Sequence, residues 1–413
     1  MTKIIKISSI LLLVSISTIF ISKISFLGPL KISDYFLLAS FLFFVTAILE
    51  KEIDISEERK KVLYVVICFG AILLGTIASF FILRFIPTMV TIKEYCHIIM
   101  DALFLIETIV ISNYDKNFPK KALLSFLFSL LIIPLLYIPN SNQYFLYGNT
   151  RFKGLSLDPN FFVNFQIIPT LLILFFILKD NKKAILKVFL FILFCFSVGL
   201  ILWSGSRSGL MGLLVSFGAL IFLLIPKMSK KRLAVIIFLI LISFPVGFYI
   251  IPRKSENDIK LRVNNIQKTD AGVAPILDFA SGQDRLNIWK NALFFVIKNP
   301  LGYGPGYYEL IDIHGDGLDN RVSHNFELEL LLTGGIGLFL LVNFALLKTI
   351  IKSIKNCRSA EFNEIYILLP ILLGVLTSSM FLDTLLYSKW LWVIVALIIV
   401  YNRQMDLTEG DLI

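Results

Sequence analysis

Two arginines and a histidine stand where long apolar runs begin or end. Arg207 lies in WSGSRSG (203–209), a very short turn between two apolar segments, among Ser204, Ser206, Ser208 and several glycines. A guanidinium keeps its charge and grips phosphate or carboxylate oxygens through paired N–H groups, and small neighbours let a ligand come close. The turn therefore suits an anion site, or equally an interfacial anchor whose stem lies on apolar surface while its head reaches water. His324 stands in SHNF (323–326), just before another apolar run. An imidazole there can take up a proton at working pH, or it can simply bond to local backbone. Ser323 is the expected N-cap of the following helix, which puts His324 in the first helical turn.

Arg285 opens a segment, SGQDRLNIWKNALFFVIK (281–298), in which Leu286, Trp289, Leu293 and Ile297 recur at three- and four-residue spacing. That period predicts an amphipathic helix, capped by Ser281 and stopped by Asn299-Pro300, either seated at a membrane surface or packed on other helices. NPLGYGPGYYEL (299–310) follows, a Gly-Pro turn region rich in tyrosine, suited to a headgroup interface or a sugar platform. Lys93, His97 and Asp101 share one face of another apolar run at four-residue spacing. Their favoured reading is internal Lys–Asp neutralisation; a substrate or proton path is the alternative, since buried ionisable groups in membranes are costly. Gly334, Gly335 and Gly337 in LLTGGIG are expected to let helices approach closely. DIHGDGLD (312–319) spaces its carboxylates like a calcium loop but has Ser323 where the bidentate Glu belongs, so no metal site is expected. GYGPG follows a helix rather than a strand and lacks Gly-Lys-Ser/Thr, so it is no phosphate loop. Cys68, Cys96, Cys195 and Cys357 form no CxxC pair, so neither disulfide nor zinc chemistry is expected.

The elements that must position these groups are membrane helices. The 413 residues are 57% hydrophobic and 16% charged, far from the balance of soluble domains. Runs at 5–22, 33–49, 62–83, 88–112, 122–139, 160–178, 184–203, 208–225, 233–251, 325–347, 363–383 and 388–402 approach or reach the length of a span. The first resembles a signal peptide but lacks a small-x-small cleavage site, so it is read as a retained helix. The fold class is all-α: a polytopic membrane helix bundle of about twelve spans, forming a single membrane domain over 1–413. The net charge of +10 sits in short clusters such as EKEIDISEERKK, NYDKNFPKK, PKMSKKR and KTIIKSIKNCR. With both termini inside, all of these face the cytoplasm, as the positive-inside rule requires. The long loop 252–323 between the ninth and tenth spans then lies on the far, extracytoplasmic side. Basic residues scattered in this way orient helices; a nucleic-acid binder would gather them on one soluble face.

SGSRSG with Arg207, DRLNIW with Arg285, NPLGYGPGYY, and SHNFELELLLTGGIG (323–337) occur in that order, after GLSLDPNFFVNF (154–165). In order, spacing and topology they resemble the bacterial O-antigen ligase and O-antigen polymerase family, best over about 150–345. The resemblance implies a C-type-like glycosyltransferase of the inner membrane, with its active site on the outer face and no metal or cofactor. Its donor would be a glycan on undecaprenyl diphosphate and its acceptor another glycan. The products would be O-antigen, capsule or exopolysaccharide; joining of the glycan to lipid A core is the alternative. A chain-length regulator or flippase would be a further partner. Carried over by motif, Arg207 and Arg285 engage the diphosphate and His324 serves the acceptor or acts as base. Asn325, Tyr303 and Trp289 join Arg207 and Arg285 as candidate substrate-binding residues.

Two other classes compete. Twelve helices with both ends inside is a common transporter plan, but no two-half repeat is visible and the candidate groups cluster at the outer boundary rather than the midplane. A non-catalytic assembly protein would need no Arg–Arg–His set.

Overall fold

The computed structural model describes residues 2–19, 31–83, 88–137, 146–147, 151–156, 158–179, 183–249, 251, 280–313, 322–359, 363–381 and 388–410. Thirteen α-helices run through them: α1 Lys3–Thr18, α2 Ile32–Leu49, α3 Arg59–Leu83, α4 Met89–Tyr114, α5 Phe118–Tyr137, α6 Pro159–Leu178, α7 Ala184–Ser204, α8 Arg207–Leu224, α9 Lys230–Phe248, α10 Ala280–Lys298, α11 Phe326–Ser359, α12 Ile365–Ser379 and α13 Lys389–Gly410. Twelve coincide with the apolar runs, and α10 is the expected amphipathic helix. Eight are long and apolar enough to cross a bilayer, so the protein is an all-α polytopic membrane bundle. Among the described residues the sole β-structure is a short antiparallel pair, β1 Leu146–Tyr147 with β2 Arg151–Phe152.

Helix α6 is the centre of the packing, buried without a break from Phe162 to Phe175. Helices α7 and α8 pack on it, and α12 packs on both α6 and α8. Small residues set the α8–α12 approach: a Cβ added at Gly212 would stand 2.5 Å from the Gly374 carbonyl oxygen and 2.9 Å from Ser378 Cβ. Large apolar side chains on α3, α7 and α9, among them Val66, Phe81, Val188, Ile192, Phe238 and Leu241, stay exposed. On a membrane protein that is the surface offered to lipid.

Polar contacts sort the helix ends onto two faces. On one, Glu58 beside α3 meets Asn113 of α4 and Arg403 of α13, and Lys179 after α6 pairs with Glu364 before α12. On the other, the start of α2 meets the start of α13, and the end of α7, the start of α8, α10, the start of α11 and the end of α12 assemble. The second is called the loop face below, because residues 280–313 sit there. Residues 252–279, and 314–319 of the acidic DIHGDGLD segment, lie outside the described residues.

One expectation changes, and one alternative is sharpened. Helix α10 begins at Ala280, so Ser281 is inside the helix rather than its cap. The stripe Leu286, Leu293 and Ile297 remains exposed. Helix α10 instead packs through Ile288, Ala292 and Val296, against Tyr303, Tyr307, Leu328 and Leu332. It is apolar on two sides, and periodicity cannot tell which side meets protein.

Candidate active site at the loop face

Helices α7 and α8 join through two residues. Gly205 takes the left-handed conformation (φ 60°) that ends α7, and the Ser206 side chain accepts from Gly209 N–H at 3.2 Å to cap α8. Arg207 is thus the first helical residue, where unpaired N–H groups make the helix end partly positive. The turn is held from outside. Arg151 on β2 donates from Nε to the Ser204 carbonyl at 2.8 Å and from Nη2 to Asn160 Oδ1 at 3.4 Å. Phe152 packs on Trp203 and Phe162 with ring centres 4.9 and 5.1 Å away. Gly209 has no room for a side chain, since a Cβ would lie 2.1 Å from Val163 Cγ1 of α6.

The histidine end is built differently from expectation. The cap of α11 is Asn325, whose Oδ1 accepts from Glu327 N–H at 2.9 Å and Leu328 N–H at 3.1 Å. His324 therefore precedes the cap rather than lying in the first turn. Its φ of 51° is left-handed, a region that costs a side-chain-bearing residue about 1–2 kcal/mol and survives where surrounding bonds over-determine it. On one side of His324, the Ser323 N–H donates to the Tyr307 hydroxyl at 3.1 Å; on the other, Asn325 Nδ2 donates to the Met380 carbonyl at 3.1 Å. A serine in the cap position loses to asparagine here because the asparagine amide both caps and ties the helix to α12.

These pieces converge on the last turn of α12. Helix α8 reaches it where Gly212 abuts Ser378, α11 where Asn325 bonds Met380, and α10 where Trp289 packs on Phe381 with ring centres 6.2 Å apart. Arg285 is half-buried one helical turn before Trp289. Gly212, Trp289 and Asn325, near Arg207, Arg285 and His324 in sequence, thus meet the end of α12, though Arg207 and His324 are more than a hundred residues apart. On or against that turn lie buried polar atoms without a hydrogen-bond partner among the described residues: Ser378 Oγ, Asn164 Oδ1 of α6 and Trp289 Nε1 of α10. Of the other candidates, Tyr303 is buried with its hydroxyl donating to the Phe295 carbonyl at 2.9 Å, and both ends of the Asn325 amide are engaged as above.

The Gly-Pro-Tyr segment is stapled to a broken helix. At Gly334 and Gly335 (φ −127° and 67°) α11 leaves helical geometry. The Leu332 and Thr333 carbonyls freed there accept from Tyr303 and Gly304 N–H at 2.6 and 2.9 Å, and Ile336 N–H donates to the Pro300 carbonyl at 2.9 Å. The glycines were expected to serve close helix contact. Instead two of them break the helix so that a loop can pair with it, and Gly337 has nothing within 4 Å of an added Cβ. Such a break is tolerable at membrane depth because the loop satisfies the freed backbone groups. Further along, Tyr308 donates to Glu94 Oε1 of α4 at 3.0 Å. Burial, and after it the Glu94 carboxylate, push the Tyr308 phenol pKa up, so it remains a neutral donor.

Lys93 does not neutralise Asp101. Asp101 is buried, and neither of its carboxylate oxygens has a hydrogen-bond partner among the described residues. The buried ion pair on this side is Asp34 at the start of α2 with Lys389 at the start of α13, which no local spacing could have paired. Arg151, Tyr307 and the Ser378–Phe381 turn were also missed; of these, only the glycine-flanked Tyr307 carried a local signal.

The multi-pass bundle carries Arg207 at the start of α8, Arg285 on α10 and His324 just before α11, all on the loop face. Residues 190–342, which include Arg207, Arg285 and His324, match the family described as O-antigen ligase. The chain is thus a multi-pass membrane protein with a segment similar to the O-antigen ligase family. No curated protein matches the chain.

Proposed function

We propose that this protein transfers a glycan from undecaprenyl diphosphate to a sugar hydroxyl, polymerising repeat units of O-antigen, capsule or exopolysaccharide. What supports this reading is that Arg207, Arg285 and His324 all lie in the family-matched segment, close to Gly212, Trp289 and Asn325, which meet the end of α12. The lysine-rich clusters favour a cytoplasmic position for the opposite face, which puts the loop face outside the inner membrane.

In this reading the acceptor hydroxyl attacks the anomeric carbon as the carbon–oxygen bond to the diphosphate breaks. His324 takes the hydroxyl proton, and the electron pair leaves on undecaprenyl diphosphate. Arg207, at a partly positive helix end, and Arg285 bind the diphosphate oxygens as that charge develops, while Trp289 offers a face to a sugar ring. Tyr303 and Asn325, whose polar groups are engaged within the protein, frame the site. Charge stabilisation away from bulk water is commonly the largest catalytic contribution.

Replacing Arg207, Arg285 or His324 with Ala is expected to leave the protein inserted and to cut transfer about 100- to 1000-fold, measured with synthetic lipid-linked repeat units. Wild-type transfer in all three variants would sink the assignment. Deletion separates the two family chemistries: a single repeat left on its acceptor marks a polymerase, and long chains stranded on undecaprenyl diphosphate mark the ligase that joins glycan to lipid A core.

A further inference from the structure

His324 is one of two residues other than glycine with positive φ among the described residues. The second, Lys51, lies in the turn just past α2, whereas His324 sits between two bonded anchors. The Ser323 N–H on one side donates to the Tyr307 hydroxyl, and Asn325 on the other caps α11 through Oδ1 and holds the Met380 carbonyl through Nδ2. The Ser323 hydroxyl closes the turn on the Asn325 carbonyl at 3.1 Å. Each bond fixes a group next to His324 rather than its imidazole. What they determine together is the direction in which its Cα–Cβ bond leaves the chain.

Tyr307 is placed to be that anchor. It is fully buried, packed with Ile288, Ala292 and Leu332, and it opens a short 3-10 turn after Gly306, which takes φ 77°. Its neighbour Tyr308 ties the same turn to α4 through Glu94. The hydroxyl that meets Ser323 is thus carried on a segment stapled to α4 on one side and to the break in α11 on the other. Left-handed backbone that persists under such constraint is a mark of pre-organised sites.

We infer that Tyr307 is a positioning residue for His324: with the Asn325–Met380 bond, its hydroxyl holds residue 324 in the left-handed conformation that aims the imidazole at the acceptor. The inference rests on the proposed role of His324. Tyr307 touches no reacting atom in this scheme, so its loss should appear in turnover and not in donor binding.

The test uses the full-length protein in lipid nanodiscs with synthetic lipid-linked repeat units. Tyr307→Phe keeps the ring and its packing and deletes only the hydroxyl. Asn325→Asp keeps an oxygen to cap α11 but cannot donate to Met380. Both are expected to lower kcat about 10- to 100-fold, the scale of a small misplacement of a catalytic group. KM should stay unchanged while the thermal midpoint falls modestly, so kcat is counted per folded molecule, and the limb of the pH–rate profile contributed by His324 should shift. If His324→Ala abolishes transfer while Tyr307→Phe matches wild type in kcat and pH profile, the positioning role is wrong and the base assignment stands. A fall in Tyr307→Phe activity that only tracks loss of folded protein also overturns it. If His324→Ala retains full transfer, it is the functional reading that fails.

Discussion

The two faces of this bundle are held together in different ways. On the lysine-rich face the contacts are side-chain ion pairs and hydrogen bonds between distant helices. Glu58 receives bonds from Lys61, Arg403 and Asn113, and Lys227 bonds the Arg358 carbonyl. On the loop face, apart from the Asp34–Lys389 pair and the Tyr308–Glu94 bond, the contacts around the candidate site are largely backbone to backbone or side chain to backbone, with left-handed residues at positions 205, 302, 304, 306, 324 and 335. Side-chain pairs tolerate small adjustments. A backbone staple through a broken helix fixes positions more tightly, as the proposed transfer between two substrates would need.

The sharpest way to break that contrast is within one tripeptide. Gly335 is left-handed, and a Cβ there would lie 2.2 Å from the Pro300 carbonyl oxygen, so Gly335→Ala should cost about 3 kcal/mol or more. It should also abolish transfer. Gly337→Ala, two residues on in open space, should be neutral or slightly stabilising, because alanine is the better helix former. Thermal unfolding in detergent with parallel transfer assays separates them, and equal costs would mean that the break does not organise the loop.

A smaller effect belongs to the opposite face. Burial pushes the Glu58 carboxyl up, but the bonds from Lys61 and Asn113 and the nearby Arg403 outweigh it, so its pKa lies below the ordinary value of 4.5. A depressed carboxyl stabilises above that unfolded value and loses its contribution as pH falls through the folded one. Glu58→Gln should therefore cost about 2 kcal/mol at pH 7, with turnover per folded molecule unchanged. The gap to wild type should close as pH falls below about 4.5; a gap that stays constant with pH would show that the ion pairs are not what holds this face.

The smallest expected effect tests whether the loop face is tuned beyond its backbone. Arg151→Lys keeps the charge but cannot serve both the Ser204 carbonyl and Asn160 in the same geometry. A loss of about 1 kcal/mol in stability is expected, with a several-fold fall in kcat as the Arg207 turn loosens. Unchanged kcat would show that the helix caps alone hold the turn.

Much of the bundle was legible because a bilayer leaves few choices: an apolar run of adequate length must satisfy its backbone internally, and a helix does so. Twelve apolar runs therefore became helices near their expected bounds. Arg207 at the start of α8 was readable because Ser206 and Gly205 are local signals. His324 was not, since its conformation depends on a tyrosine seventeen residues back and on the Met380 carbonyl, more than fifty residues on. Nor was the break at Gly334–Gly335, because glycine in a membrane helix serves close packing as readily as a kink, and only the loop that donates to the freed carbonyls decides between them.

By itself the sequence determined the class of the protein, its helices and the residue types available for chemistry, all set by local composition and spacing. Tertiary structure alone decided that α8, α10 and α11 meet at the last turn of α12 and that His324 is turned left-handed there. It also decided that Asp34 pairs with Lys389 instead of Lys93 with Asp101. Those outcomes depend on contacts between segments far apart in the chain, and local propensity carries no information about which partner a buried group will meet.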